Sequence, residues 1–310
     1  MIAVPEYLDY VQFYPTLRCN LSCEFCFNSG IGKDYPDIPP ERLQVVLEKL
    51  RRTGVRTIDV MGGEPFLHYT LDELIAMTVE RGYTLNLSTN GTYPGGISSL
   101  LERFQSLNIG ISINDPSTLD NTRQVLESGE VIAKTIYREN LAPEVVEEVS
   151  SLKPREYYLI FPDEMRRGKE DRMLSFRRFY NRFVTELREY FTGAVYCSGF
   201  LPALREYPHL ERMRCPAGTV KIGLLPDGSV YPCNLFFRIE EFCLGNIFDD
   251  PVEDILRDER LGFFREFQGN QCPVWECGLH RDCHGGCPAH ALIHFGRLDA
   301  PDPRCLYGSG

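Results

Sequence analysis

The chain has 310 residues, enough for one large domain or a domain with a smaller companion. Hydrophobic residues make up 43% and charged residues 25%, a globular balance that can bury a sizeable core. The formal net charge of −11 and a pI near 5.1 argue against a general nucleic-acid partner or an anionic membrane surface. No stretch reaches the ~18 consecutive apolar residues of a membrane span. The opening MIAVPEYLDY lacks the basic start and long apolar run of a signal peptide, so a cytoplasmic location is expected. In that compartment disulfides are rare and thiols stay available to metals. The twelve cysteines, in clustered spacings, therefore read as metal ligands.

In chain order, residues 9–17 (DYVQFYPTL) read as a strand that runs into a loop at Cys19. Residues 40–53 set Leu43, Val46, Leu47 and Leu50 at helical spacing behind Pro39 and Pro40. A short strand, about Thr57 to Met61, ends in Gly62-Gly63-Glu64-Pro65. A helix is expected at about 70–81, a strand and turn over 84–92, a helix over 96–105 and a strand over 108–115. VIAKTIY (131–137) and EYYLIF (156–161) supply a fifth and a sixth strand. Residues 173–191 read as one long amphipathic helix whose aromatics belong to the core.

Strands alternating with helices imply parallel βαβ units. Six of them predict an α/β fold, a partial (β/α)6 TIM-like barrel open on one side, followed by a small Cys-rich domain. The composition shift places the boundary so that the barrel takes 1–193 and the Cys-rich domain 194–310. In β/α barrels the reactive groups sit on loops at the carboxyl ends of strands. Four sets of notable residues fall there: the cysteines after strand one, GGEP after strand two, Ser88-Thr89-Asn90 after strand three, and Asn114-Asp115 after strand four.

Cys19-Asn-Leu-Ser-Cys23-Glu-Phe-Cys26 places three thiols at CxxxCxxC. Such a trio can hold three corners of a cubane cluster and leave the fourth iron without a protein ligand. A structural cluster or zinc wants four ligands and a closed shell. From spacing alone, part of a zinc site stays open as a reading. With GGEP about forty residues on, the segment resembles the radical S-adenosylmethionine (SAM) enzymes.

That resemblance implies a 4Fe-4S cluster on Cys19, Cys23 and Cys26, with the amino and carboxylate groups of SAM on the open iron. An electron from the cluster then splits SAM to a 5′-deoxyadenosyl radical. It further implies that the Gly62, Gly63, Glu64 and Pro65 strand end hydrogen-bonds the methionyl ammonium, with the Glu64 carboxylate helping. The two glycines let the backbone approach a ligand closely. Phe25 matches an aromatic that packs near adenine. Ser88 and Asn90 are candidates for ribose or carboxylate contacts, although STNG is also an ordinary turn sequence. Ser112 joins these cofactor contacts, in a segment (Ser112-Ile-Asn-Asp-Pro116) that departs from the relatives' Ser-x-Asp-Gly-Pro at Asn114 and Asp115.

The second half holds Cys215, then Cys233 with Gly228 five residues before it, then Cys272-x4-Cys277-x5-Cys283-x3-Cys287, and Cys305. This resembles the SPASM extension, whose first gap in the middle block is usually two residues rather than four. The resemblance makes the Cys-rich domain an iron–sulfur domain with two auxiliary 4Fe-4S clusters. By family topology Cys287 joins Cys215 and Cys233 on the first, with Cys243 or Cys197 to complete it unless the site stays open. Cys272, Cys277, Cys283 and Cys305 hold the second. Two such clusters need eight thiolates, and nine cysteines follow Cys26. A zinc site in the Cys272–Cys287 block remains an alternative. His280, His284 and His290 are expected as surface or supporting residues, and Trp275 as packing. Pro226-Asp-Gly228 predicts a hairpin turn that delivers Cys233 at a strand end.

The activity implied is hydrogen abstraction from a peptide or protein substrate, with a small molecule or cofactor precursor as the alternative. An electron donor such as flavodoxin or ferredoxin is implied as a partner. A reading from another class is a non-catalytic iron–sulfur electron carrier. Asp115, Asp163 and Glu164 are the candidate bases. Asn234 follows Cys233 where sulfatase-maturing relatives place an aspartate base, which argues against that reaction. Arg166, Arg167 and Lys169 read as surface.

Overall fold

The computed structural model describes residues 8–29, 31, 35–167, 173–196, 215–237, 239–265 and 285–306. Lys169, Cys197, Cys272, Trp275, Cys277, His280, Cys283 and His284 lie outside the described residues. The chain divides into two compact units that do not follow chain order. Unit 1 takes residues 1–112 and 217–265, and unit 2 takes 113–216 and 266–310.

Unit 1 begins with four parallel strands, β1 (Tyr10–Phe13), β2 (Thr57–Val60), β3 (Thr84–Thr89) and β4 (Leu107–Ser112), laid side by side in that order. Apolar residues such as Val11, Phe13, Ile58, Val60, Leu85 and Leu87 are buried, the pattern of strands covered by packed helices. Register is level: Phe13 pairs with Val60, Val60 with Leu87, and Leu87 with Ile109. The loops after β1, β2 and β3 therefore leave from one edge of the sheet.

The connecting helices are α1 (Pro40–Leu50), α2 (Leu71–Glu80) and α3 (Pro94–Arg103). Helix α1 shows why these form. Pro40 sits at its start, where no N–H partner is needed, and Glu41 lies in the first turn. Leu43, Val46, Leu47 and Leu50 make one buried stripe.

Unit 2 holds α4 (Pro116–Glu127), β5 (Ile132–Ile136), α5 (Pro143–Ser151), β6 (Glu156–Ile160), α6 (Phe176–Arg182) and β7 (Gly193–Val195). Strands β5, β6 and β7 pair in parallel. The helix expected over 173–191 forms over a shorter span and is not α-helical throughout. The Ser175 hydroxyl accepts from Arg178 N at 3.3 Å and caps a shorter helix. A π-helical turn, Phe183–Leu187, follows. Phe176, Phe179, Phe183 and Leu187 are all buried, so the aromatics are core, as their spacing predicts. Strand β7 was not read from the sequence.

The chain then returns to unit 1. Strand β8 (Lys221–Leu224) runs parallel to β1 on the side away from β2, with Tyr10 beside Lys221 and Phe13 beside Leu224. The Pro226–Gly228 turn folds it into an antiparallel hairpin with β9 (Ser229–Tyr231), Gly228 taking φ of 88°. Strand β10 (Gly245–Asn246) pairs antiparallel with β9. Among the described residues no helix is long and apolar enough to cross a membrane.

Lys49, in the last turn of α1, fastens this late segment. Its Nζ donates to the carbonyls of Ile247 (2.7 Å), Asp250 (2.8 Å) and Phe248 (3.2 Å). Hydrogen bonds from a charged donor contribute about 1.5–3 kcal/mol. Lys49→Ala is therefore expected to lower unfolding stability by about 2 kcal/mol in urea titrations. Wild-type stability in that variant would show that the ammonium fastens nothing.

Candidate active site

The first cysteine loop starts where β1 ends, and the GGEP strand end is bound to it through backbone. Gly63 N donates to Thr16 O at 3.0 Å and Glu64 N to Arg18 O at 2.7 Å. A Cβ on Gly63 would lie 1.9 Å from Arg18 O, and one on Gly62 would lie 2.4 Å from Thr16 O. Both glycines are thus required by the neighbouring chain, just ahead of Cys19. Arg18, at the loop's root, donates to Asp37 and to the Leu67 carbonyl.

Glu64 also works inward. It is fully buried, Oε1 accepts from Thr89 Oγ1 (2.8 Å) and Phe66 N (3.1 Å), and Oε2 accepts from Asn90 N (2.7 Å). Burial pushes its carboxyl up, and the bonds from Asn90, Thr89 and Phe66 pull it partly back. The same carboxylate ties the end of β2 to the end of β3. Pro65 opens the short turn Pro65–Leu67 that follows.

Asn90 passes that tie on to the cysteines. Its Nδ2 donates to Asn20 Oδ1 at 2.9 Å and stands 4.0 Å from Cys19 Sγ. Leu21 N donates to the same sulfur at 3.5 Å. Cys26 N bonds Cys23 O, and Ser29 N bonds Cys26 O, both at 3.1 Å, which winds the loop into successive turns. All three thiols are half-buried. Among the described residues no three Cys, His, Asp or Glu side chains converge on one metal ion. A cubane is gripped at three separate corners, and N–H donors aimed at a ligand sulfur suit it. Phe25, Ser88 and Ser112 are half-buried, Phe25 in the loop and the two serines in β3 and β4.

A buried polar chain behind this loop was not read from the sequence. Asn28, two residues after Cys26, donates to Gly62 O (3.2 Å) and Tyr14 OH (3.4 Å). Asn234 Nδ2 donates to the same hydroxyl at 3.2 Å, and Asn234 N donates to Gln12 Oε1 at 3.2 Å. Tyr14 is fully buried and its hydroxyl is pushed up by that burial. Asn234 thus spends its side chain on Tyr14. Gly223 admits the Cys233–Asn234 backbone, since a Cβ there would lie 2.8 Å from Cys233 C.

The three carboxylates offered as bases each have another task in unit 2. Asp115 caps α4, accepting from Thr118 N (2.9 Å), Thr118 Oγ1 (2.9 Å) and Ser117 Oγ (2.5 Å). Burial raises its proton affinity, but these bonds outweigh burial and hold it below the usual range, which makes it a poor base. Asp163 pairs with the buried Arg304 at 2.9 Å. Glu164 is buried and pairs with Arg166. Asn114, where relatives carry Asp, completes the end of β5 by accepting from Ile136 N at 2.9 Å.

Of the late cysteines described, Cys215 and Cys287 are buried in unit 2 and Cys233 in unit 1. Cys243 is half-buried and Cys305 exposed. Cys287 is presented by a clamp. Gly285 and Gly286 take φ of 87° and 81°, Asp302 N bonds Gly285 O, and Cys287 N bonds Asp302 Oδ2, both at 2.9 Å. Arg304 grips the same carboxylate through Nε (3.0 Å) and Nη2 (2.9 Å). Burial raises the Asp302 carboxyl, but Arg304 overcomes it and holds the group well below the carboxylate range.

A thiol trio on the carboxyl edge of a parallel sheet, with GGEP bound to its root, defines a radical SAM site. Residues 13–138 match the radical SAM superfamily, and residues 215–284 match SPASM, an iron–sulfur cluster-binding domain. The chain belongs to the radical SAM superfamily, in the branch that carries a SPASM domain.

The subtilosin biosynthesis protein AlbA of Bacillus subtilis is 23% identical over 312 residues, covering 90% of this chain and 66% of AlbA. This chain thus spans about two thirds of AlbA's length. The mycofactocin maturase MftC of Mycobacterium tuberculosis is 24% identical over 328 residues, covering 94% and 81%. The fold matches that of Streptococcus suis SuiB bound to precursor peptide SuiA, with a TM-score of 0.72 at 18% identity, covering 96% of this chain and 75% of SuiB. SAM and a 4Fe-4S cluster are the cofactors of the first domain, and auxiliary iron–sulfur clusters those of the second.

Glu64→Gln would set an amide NH2 against an N–H or hydroxyl donor. The expected cost is about 1–3 kcal/mol, the penalty of a buried unpaired donor. Iron retention by the first cluster should fall with it, measured by urea unfolding and metal analysis. Full stability together with full iron loading would refute the inward role of this carboxylate.

Proposed function

We propose that this protein is a radical SAM maturase that abstracts a hydrogen atom from a ribosomally made peptide or a protein side chain. The observation that carries the reading is the three-thiol loop held to GGEP at the sheet's carboxyl edge, in a chain whose relatives include a bacteriocin biosynthesis protein and a peptide-derived cofactor maturase. When bound, the cluster on Cys19, Cys23 and Cys26 supplies the electron that cleaves SAM to a 5′-deoxyadenosyl radical. The protein's own part is to hold the three thiolates apart, aim the Leu21 N–H and Asn90 amide at Cys19, and keep the loop's root fixed.

Residues 1–193 carry the SAM chemistry and 194–310 the auxiliary clusters, a division of chemistry that the packing units do not follow. Cys215, Cys233 and Cys287, with Cys243 or Cys197, hold the first auxiliary cluster, and Cys272, Cys277, Cys283 and Cys305 the second. A flavodoxin- or ferredoxin-type protein supplies the electron. Phe25, Ser88 and Ser112 line the SAM side, and the protein works in the cytoplasm.

Iron and sulfide are to be counted after anaerobic reconstitution. About twelve irons per chain are expected, falling to about eight when Cys19, Cys23 and Cys26 are all changed to Ala, at four irons per cubane. About four falling to none, with zinc present, would remove the auxiliary clusters from the proposal. Formation of 5′-deoxyadenosine on reduction separates an enzyme from an electron carrier. A precursor peptide that raises this formation above the uncoupled rate, and changes mass, supports the peptide reading. Stimulation by small molecules alone would overturn it.

A further inference from the structure

His290 sits in the first turn of the helix Pro288–Phe295, three residues after Cys287, which caps that helix. The cap and the imidazole thus belong to one turn of the chain. The ring is fully buried. Its Nε2 accepts from Glu164 N at 3.2 Å, and so carries a lone pair. Asp163 Oδ1 stands 3.5 Å from that nitrogen, beyond hydrogen-bond range, and is engaged by Arg304 Nη1 at 2.9 Å. A ring that accepts at Nε2 has its proton on Nδ1. Among the described residues that buried Nδ1–H has no hydrogen-bond partner. Native proteins rarely leave such a donor unmatched, because it costs about 1–3 kcal/mol.

The described polar groups of this cluster have partners. Asp302 holds the Cys287 backbone, Arg304 holds Asp302 and Asp163, and His294 Nε2 meets Glu164 O at 3.1 Å. We infer that the His290 Nδ1–H donates to a sulfur of the auxiliary cluster anchored by Cys287, and thereby raises that cluster's reduction potential. The inference rests on the preceding reading that Cys287 ligates an auxiliary cluster. A donor aimed at a cluster sulfur favours the more negative, reduced state, one of the known controls on cluster potential. His290 is in this sense a positioning and tuning residue. It also joins the cluster to the loop after β6, through Glu164.

Two substitutions separate this role from simple packing. His290→Gln can place its amide oxygen where Nε2 stands, keeping the acceptor for Glu164 N while losing the donor at Nδ1. His290→Asn places an amide nitrogen at the Nδ1 position and loses the other bond. The full chain, wild type and each variant, is reconstituted anaerobically. Iron is counted, and the midpoint potential of each cluster is followed by electron paramagnetic resonance during redox titration.

The expected result has three parts: unchanged iron, one auxiliary potential shifted negative in His290→Gln, and the wild-type potential kept in His290→Asn. Unchanged potentials in His290→Gln, or equal shifts in both variants, overturn the inference while leaving the auxiliary clusters standing. Wild-type iron of only about four per chain, one cubane's worth, overturns the inference together with the cluster assignment.

Discussion

The buried Glu64 carboxylate is the constraint on which the site depends. A carboxylate with no exposure to water is stable only when donors surround it. Here the donors come from both sides, Phe66 N on its own turn and Thr89 and Asn90 on the end of β3. Glu64 N at the same time holds the carbonyl of Arg18. One residue therefore joins three strand ends, and the cysteine loop grows from that junction. The two glycines before it follow from the same constraint, because the chain passes too close for any side chain. Asn90 shows how the tie reaches the chemistry, with its backbone on Glu64 and its side chain beside Cys19.

The carboxylates offer a general lesson about polar residues at the mouth of such a sheet. Asp115, Asp163 and Glu164 fall where a base would be sought, yet each already has donors. Asp115 ends a helix, and the other two belong to a buried set of charges around Arg304 and His290. That set surrounds the turn that presents Cys287, where two left-handed glycines let Asp302 reach both sides of the backbone. Buried ion pairs of this kind add little net stability over apolar packing, so their value here lies in fixing a geometry. Tyr14 plays the corresponding part in unit 1, with Asn28 from the first cysteine loop and Asn234 from beside Cys233 on one hydroxyl.

Much of this was legible in the residues. Alternating strands and helices located the first six strands to within a few positions, because each is a short apolar run bounded by turn signals. The Pro-Asp-Gly turn located the hairpin. What was not legible depends on partners distant in sequence. Nothing in KIGL announces that it will lie beside β1, since strand pairing is set by tertiary contacts rather than local preference. The shorter span of the helix within 173–191 and its π turn are hidden because the apolar stripe persists through both. The inward roles of Glu64 and Asn90 were missed for a related reason: a motif names residue types, and only their neighbours decide which way a carboxylate or amide faces. His290 carried no signal beyond its spacing from Cys287.

The pairing of β1 with both β2 and β8 bears on how the chain is made. A nascent chain emerges from its N-terminus, so β1 through β4 are available long before Lys221–Leu224 has been synthesised. During that interval one side of β1 presents an open row of N–H and C=O groups. Such an edge is a template for wrong pairings. The first strand therefore stays unpaired on one side until the hairpin is made, and the segment that pairs there leads directly to Cys233. Pairing along that flank and placement of the Cys233 thiol at the hairpin's end are one event in the life of the chain.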